Sequence, residues 1–413
     1  MDYKFPKIIG INQLADETAL VFGERKEQMF VREAENVDID STGDVSRRQG
    51  YTQLLSGAGY HSLYKTQRGW LMLCRRDELG VYDNGFVPLA SMGTPQMVSF
   101  TEENGNLYAM NSGFAAMFKP ADLVAYPIGV PLPAVTPQFV ASTAGGSLLP
   151  GEYGVTYSLV DPSGEESGLG PVVQMSLSAQ GRIDATLFTV LPGYKYRIYM
   201  TTTNGQELYQ AAEFDAVVVS FSVLEHEMGR PPATFGLEPA PKGHIVRAFK
   251  ARLLIGTTDF VYFTEAFRPH LHNSVHGFVA TSGFTTMIEP LATGVFIADK
   301  RGVRFYTGED PTAWQVREVT SEPVVFNTSV VVPGTFFTGS LAQFSEVAMW
   351  LSVSGYQVGT PQGEVVRVNA GQVRLPSYVQ GATVYGVREG RKQVVTAVNS
   401  NVLASASVAL DSI

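Results

Sequence analysis

The sequence has one cysteine, Cys74, so no internal disulfide can form. Folding in a reducing cytoplasm is the simplest expectation. Histidines number six, which leaves few general bases, and charged residues are 17%, below the usual ~25%. The opening MDYKFPKIIGINQLADE has no apolar core of signal-peptide length. No apolar run approaches the ~20 residues of a membrane-spanning helix. General secretion and bilayer insertion are therefore not expected. No Walker loop, GxGxxG, HExxH or GxSxG motif is present. Basic charge is also short: the net charge is -9 and the pI about 5.3. That argues against a surface built to grip phosphates.

What the sequence does have is glycine, proline and strand formers. Forty-one glycines and 23 prolines punctuate runs rich in Val, Thr, Tyr and Phe, the pattern of short strands joined by tight turns. At 413 residues, two or three domains are expected. Ala15 to Phe30 holds the one weak helical pattern. From Asn36 the text alternates apolar and polar, breaks at Ser41-Thr42-Gly43, then alternates again. Further strand pairs follow around Asp83-Asn84-Gly85 and Asn111-Ser112-Gly113. Strand pairs recurring every 20–25 residues are half of a ~40–50-residue propeller blade.

PIGVPLPAVTP, from Pro127 to Pro137, reads as a stiff extended linker. Beyond it, Gly151–Val160, Val172–Leu177 and a hairpin around Thr203-Asn204-Gly205 fit a fibronectin-type sandwich. That module closes at Arg230-Pro231-Pro232, after which the blade texture resumes. The small, apolar segment from Gln393 onward reads as a last strand completing the ring. The expected fold is all-β: a β-propeller-like domain interrupted by an inserted fibronectin/Ig-like β-sandwich. Its parts are an N-terminal segment (1–35), a first propeller part (36–133), the sandwich (134–232) and a second propeller part (233–413).

Candidate chemistry is sparse. His270, His272 and His276 form H-x-H-x-x-x-H behind Glu265. Alternate histidines on a strand share a face, as metal ligands can, but no second carboxylate is evident, and a solvated loop after Pro269 is preferred. Thr307 to Trp314, TGEDPTAW, resembles the structural turn boxes of sialidase-like propellers. Glu165-Glu166 are adjacent, so they do not face each other as a glycosidase pair must; they read as solvated. Cys74, inside WLMLC, reads as a buried structural thiol. Arg75-Arg76 are ordinary turn charges, whereas Arg47-Arg48 are candidates for carboxylate contacts to a neighbouring subunit. No catalytic, cofactor-binding or metal-binding residue is assigned.

Asn36-Val37-Asp38, Gly43-Asp44-Val45 and Arg47-Arg48-Gln49-Gly50-Tyr51 together resemble a pattern near the N-terminus of tail nozzle and related virion propeller proteins of short-tailed bacteriophages. Gln49 stands where proline is common there. A second stretch, Tyr262 to Pro311, is similar in strand order to the same proteins, and there the histidine positions are loop. LLPGEYGVTYSLVDPSGEESGLGP is similar to fibronectin-like modules inserted in phage structural proteins. The resemblance implies a ring of six copies below the portal and its adaptor, enclosing the DNA-ejection channel. It also implies fibre, spike or needle proteins as further neighbours, a place in the virion tail, and assembly in the host cytoplasm. Asn36, Arg47, Arg48 and Gly50 are then the candidate subunit interface, and DNA passes without specific binding. The rival readings are a receptor- or glycan-binding virion propeller, which would present aromatic platforms at loop tips, and, third, a glycoside hydrolase.

Overall fold

The computed structural model describes residues 6–23, 27–40, 42–48, 50, 52–133, 137–186, 192–368, 372, 380–388, 390–399 and 406–411. The fold is all-β: antiparallel meanders in propeller-like succession, with a β-sandwich between the second and third. Helix among the described residues is limited to short 3-10 turns.

Four-stranded sheets cover 60–91, 99–126, 287–320 and 330–367; a six-stranded sheet covers 237–280, and a three-stranded sheet covers 380–411. Successive sheets stack face to face, and the alternation of strand side chains explains how. In Asn106–Met110, Leu107 and Ala109 pack with Met72, Cys74 and Leu79 of the first sheet. Tyr108 and Met110, between them, face Val246, Leu253 and Ile255 of the sheet beyond. In Gly294–Asp299, Val295 and Ile297 pack back on Leu254 and Phe263. Phe296 and Ala298 pack forward on Ala348 and Trp350. In Val347–Ser352, Met349 and Leu351 then meet Val394 and Val398 of the last sheet. Each such strand is covered on both faces, so it reads as a continuous apolar run. Turn chemistry agrees with the topology. Asn104 and Gly105, both at positive φ (49° and 78°), link Ser99–Glu103 to Asn106–Met110, the left-handed pair that a two-residue hairpin requires.

The first strands of successive meanders lie side by side: Ser99–Glu103 against Ile245–Phe249, that strand against Met287–Leu291, and Met287–Leu291 against Val330–Val332. The weak helical pattern of 15–30 is not realised as an α-helix. Glu17–Ala19 is one 3-10 turn, and Val21–Phe22 and Gln28–Val31 are strands. Gln28–Val31 draws Lys7–Ile11 into a parallel pair, so sheet pairing overrides a weak local preference. The N-terminal segment reaches a late one: Gln13 N donates to Gln372 O at 2.7 Å. The segment after Gln393 lies in Arg391–Asn399, which pairs with Gln380–Arg388 and with Ala406–Asp411.

The sandwich has a three-stranded sheet (Gln138–Ser142, Arg182–Thr186, Val218–Phe221) and a four-stranded one (Val173–Leu177, Gly151–Val160, Lys195–Thr201, Leu208–Phe214). The chain changes sheet four times, so the two sheets interleave in sequence, as they do in fibronectin- and immunoglobulin-type sandwiches. Its core joins Tyr153, Val155, Tyr157 and Ile198 to Ile183 and Phe221. The proline-rich stretch before it is not a free spacer. Val130 is buried, a Cβ on Gly129 would stand 3.0 Å from His270 Cβ, and a Cβ on Gly170 would stand 3.3 Å from Pro133 Cβ. Residues 134–136, at the expected start of the sandwich, lie outside the described residues.

Candidate functional site

The hairpin of Val37–Ile39 and Val45–Arg47 carries the four candidate interface residues. Its turn is built by Asp40, whose Oδ1 accepts from Thr42 N, Thr42 Oγ1 and Asp44 N at 2.9, 2.6 and 2.9 Å. These three donors hold the Asp40 carboxyl below its ordinary range, the Thr42 hydroxyl contributing most. Gly43, at φ 84°, presses on Lys7 and Ile8, where a Cβ would stand 2.7 Å from Lys7 Cβ; Ile8 N donates to Gly43 O. The hairpin thus docks on the N-terminal sheet through a residue without a side chain.

At the other end Asn36 is left-handed (φ 53°), and its carbonyl accepts from Arg48 N at 2.9 Å. Arg48 Nε donates to Asp38 Oδ1, also at 2.9 Å. Arg48 therefore has a carboxylate partner within its own hairpin. Arg47 is exposed, as are Val45 and Ser46. Gly50 is exposed, with no atom within 4 Å of where a Cβ would be. Asn36, Asp38 and Arg48 are thus brought together, while Arg47 and Gly50 are left open. Ser41, Gln49 and Tyr51 lie outside the described residues. Asp40 Oδ2 is 3.7 Å from Arg391 Nη2, so the hairpin also reaches the last sheet.

The comparisons assign no family. No family model matches the chain, and no curated protein matches it. Among solved structures, the extracellular domain of a one-component system from B. thetaiotaomicron matches at 9% identity and a TM-score of 0.30, over 90% of this chain and 51% of that one. PorZ, a surface component of the type-IX secretion system of Porphyromonas gingivalis, matches at 11% identity and a TM-score of 0.24, over 90% and 55%. The chain spans about half the length of either. Scores this low carry no argument about function.

The histidines fall differently from their reading as loop. His270 and His272 lie on the strand Arg268–Asn273, both buried. The cause is pairing on both sides, with Leu237–Pro239 and Phe260–Glu265. His272 Nδ1 meets Glu238 O at 3.2 Å, and His270 Nδ1 lies 3.7 Å from Glu165 Oε2 in the sandwich. His276 sits in the turn that follows, its N–H donating to Asn273 Oδ1. Among the described residues no three His, Cys, Asp or Glu side chains gather as a metal-binding group. Glu166 is not solvated as expected. It accepts from Ser158 Oγ (2.6 Å), Tyr199 OH (2.7 Å) and Arg197 Nη1 (2.6 Å). Burial, with Glu166 beside it, pushes the Tyr199 phenol well up. Cys74 is buried, and burial pushes its thiol up to about 12. The TGEDPTAW box is a turn capped by Asp310, which accepts from Thr312 N at 3.0 Å. Its Trp314 lies against Phe249, Phe263 and Tyr306. Arg75 pairs with Glu78 at 2.7 Å and lies over the Phe86 ring.

Sequence reasoning missed a polar seam between the first strands. Ser99 Oγ accepts from Val246 N and from Arg247 Nη1 at 3.1 and 2.9 Å, and Ala248 N donates to Thr101 Oγ1 at 2.9 Å. Glu289 lies beyond, 5% exposed, and its Oε2 has no partner. Burial raises its carboxyl above the ordinary range against the opposing pull of Arg247 and Ser329. The signal was a lone acid inside the apolar run MIEPL.

Proposed function

We propose that the chain is a non-enzymatic structural subunit of a short-tailed phage tail, a nozzle-type ring of six copies around the DNA-ejection channel. The carrying observation is the hairpin 36–48. Its sequence is the segment that resembles nozzle proteins; it meets the body through Gly43 and through Asp40 beside Arg391, and the Arg48–Asp38 pair braces it internally. Its second strand, Val45–Arg47, is exposed along its whole length. A two-stranded hairpin is marginal alone, and an open edge is a ready template for another chain. In a ring each subunit offers one surface to a different surface of the next. The low charged fraction fits such contacts, whose cores are depleted of charge. The net charge of -9 suits a wall along which DNA slides without sticking.

The test is a reconstruction of the particle that carries the protein, paired with native mass spectrometry of Val45→Asp/Arg47→Glu. Six copies around a passage, with ring formation lost in the variant, is the expected result. One copy at a spike tip, or three on a fibre without a passage, would refute it.

A further inference from the structure

Two turns stand side by side at one end of the 237–280 sheet. In the first, Leu237 N donates to Thr234 O at 3.2 Å, which places Phe235 and Gly236 at the corner. Gly236 takes the left-handed position (φ 72°), as a turn of this kind favours. In the second, Glu265 pairs with Arg268 across Ala266-Phe267, and here the left-handed position (φ 61°) is held by phenylalanine. A bulky residue there is a genuine outlier. Nothing in the packing compensates it, since the Phe267 side chain is 77% exposed and Phe235 is 65% exposed. Arg268 Nη1 ties the turns together by donating to Ala233 O at 2.6 Å, and Phe267 N is held by Ala251 O at 2.9 Å. The rings are therefore presented on an anchored frame. Between them is an open cleft of about 450 Å³, whose polar lining comes from Glu265 and Arg268.

We propose that this cleft binds a neutral pyranose ring, the terminal sugar of a surface glycan. Strain retained at an exposed position points to use. The two rings offer apolar faces, and a carboxylate and a guanidinium stand at their edge. A purely apolar guest would strip water from Glu265 and Arg268 without replacing it. A nucleotide needs a basic groove to track its phosphates, and here the lining holds one arginine, Arg268, already donating to Ala233 O, and one acid, Glu265, which lies 3.6 Å from Arg252. A sugar ring has an apolar face and a rim of hydroxyls, and the volume falls within the range of small-ligand sites. The proposal is independent of the ring assembly.

The test is saturation-transfer NMR on the full chain with disaccharides of glucose, galactose and N-acetylglucosamine, on wild type, Phe267→Gly and Phe235→Ala. Transfer to the ring protons of at least one sugar is expected in wild type. In either variant it should fall about tenfold or more, with the melting temperature held in both or raised in Phe267→Gly, because glycine relieves the left-handed position. No transfer from wild type, or transfer that persists in both variants, overturns the proposal. So does self-association that both variants abolish while no sugar binds, since the surface would then be a protein contact.

Discussion

At the scale of single residues, burial pushes the Glu289 carboxyl and the Cys74 thiol the same way, toward the protonated form. Glu289 binds its proton more tightly folded than unfolded. Its carboxyl therefore costs nothing below the ordinary carboxylate range, and destabilises progressively as pH rises through the folded value. Glu289→Gln removes that term. Between pH 4 and 8 the wild-type melting temperature should fall relative to the variant's, and scanning calorimetry across that range should show the two curves separating upward from acid. Parallel curves would mean that Arg247 already neutralises the site. Cys74 gives a second expectation. With its thiol pushed up to about 12 and the side chain fully covered, iodoacetamide at pH 8 should label the native protein only as fast as it opens. Denatured protein should be labelled at once. Fast native labelling would contradict the burial. Cys74 was legible in the sequence because it closes the apolar run WLMLC. Glu289 sat in equally apolar text, but the groups that act on it, Arg247 from the preceding sheet and Ser329 and Glu346 beside strands of the following one, are distant in sequence, which local text does not encode.

At the scale of elements, most strands and turns were legible. Gly151–Val160 was read with the bounds it has in the fold, because it lies between clear turn signals. The histidines were misread as loop, and the packing of the proline-rich stretch was not foreseen, for one shared reason. Pro269 and the run of prolines from Pro127 look like loop punctuation, yet both segments are covered by partners distant in sequence: Leu237–Pro239 for the histidines, Gly170 and His270 for the linker. The N-terminal hairpin gives the sharpest elemental test. Gly43→Ala would force a left-handed alanine, roughly 1–2 kcal/mol for a non-glycine residue, and drive its Cβ into Lys7. Chemical denaturation should register a loss of that order. Protease cleavage near residues 40–47 should appear while the blades stay intact. An unchanged profile would show that the hairpin docks by other means.

At the scale of the whole molecule, the sheets stack in sequence through shared cores. The net charge of -9 is spread over a chain with few basic residues. Duplex DNA should therefore not be retained on a filter at about 0.1 M salt; retention that weakens steeply with salt would mean phosphate contacts and would count against a passive channel wall. No membrane-crossing helix is present among the described residues, which leaves strand-based crossing unaddressed. The sandwich has a consequence of another kind. Ser99 and Val246 touch across 147 positions of sequence, because the sandwich lies between the second and third blades. Closing so long a loop is entropically slow, each doubling of length adding about 0.6 kcal/mol. A sandwich that folds first reduces that search to the short distance between its own two ends. It would then act as a folding clamp: weakening its core, as by Tyr157→Ala, should slow the appearance of the native blade signal in refolding, although no blade residue has been changed.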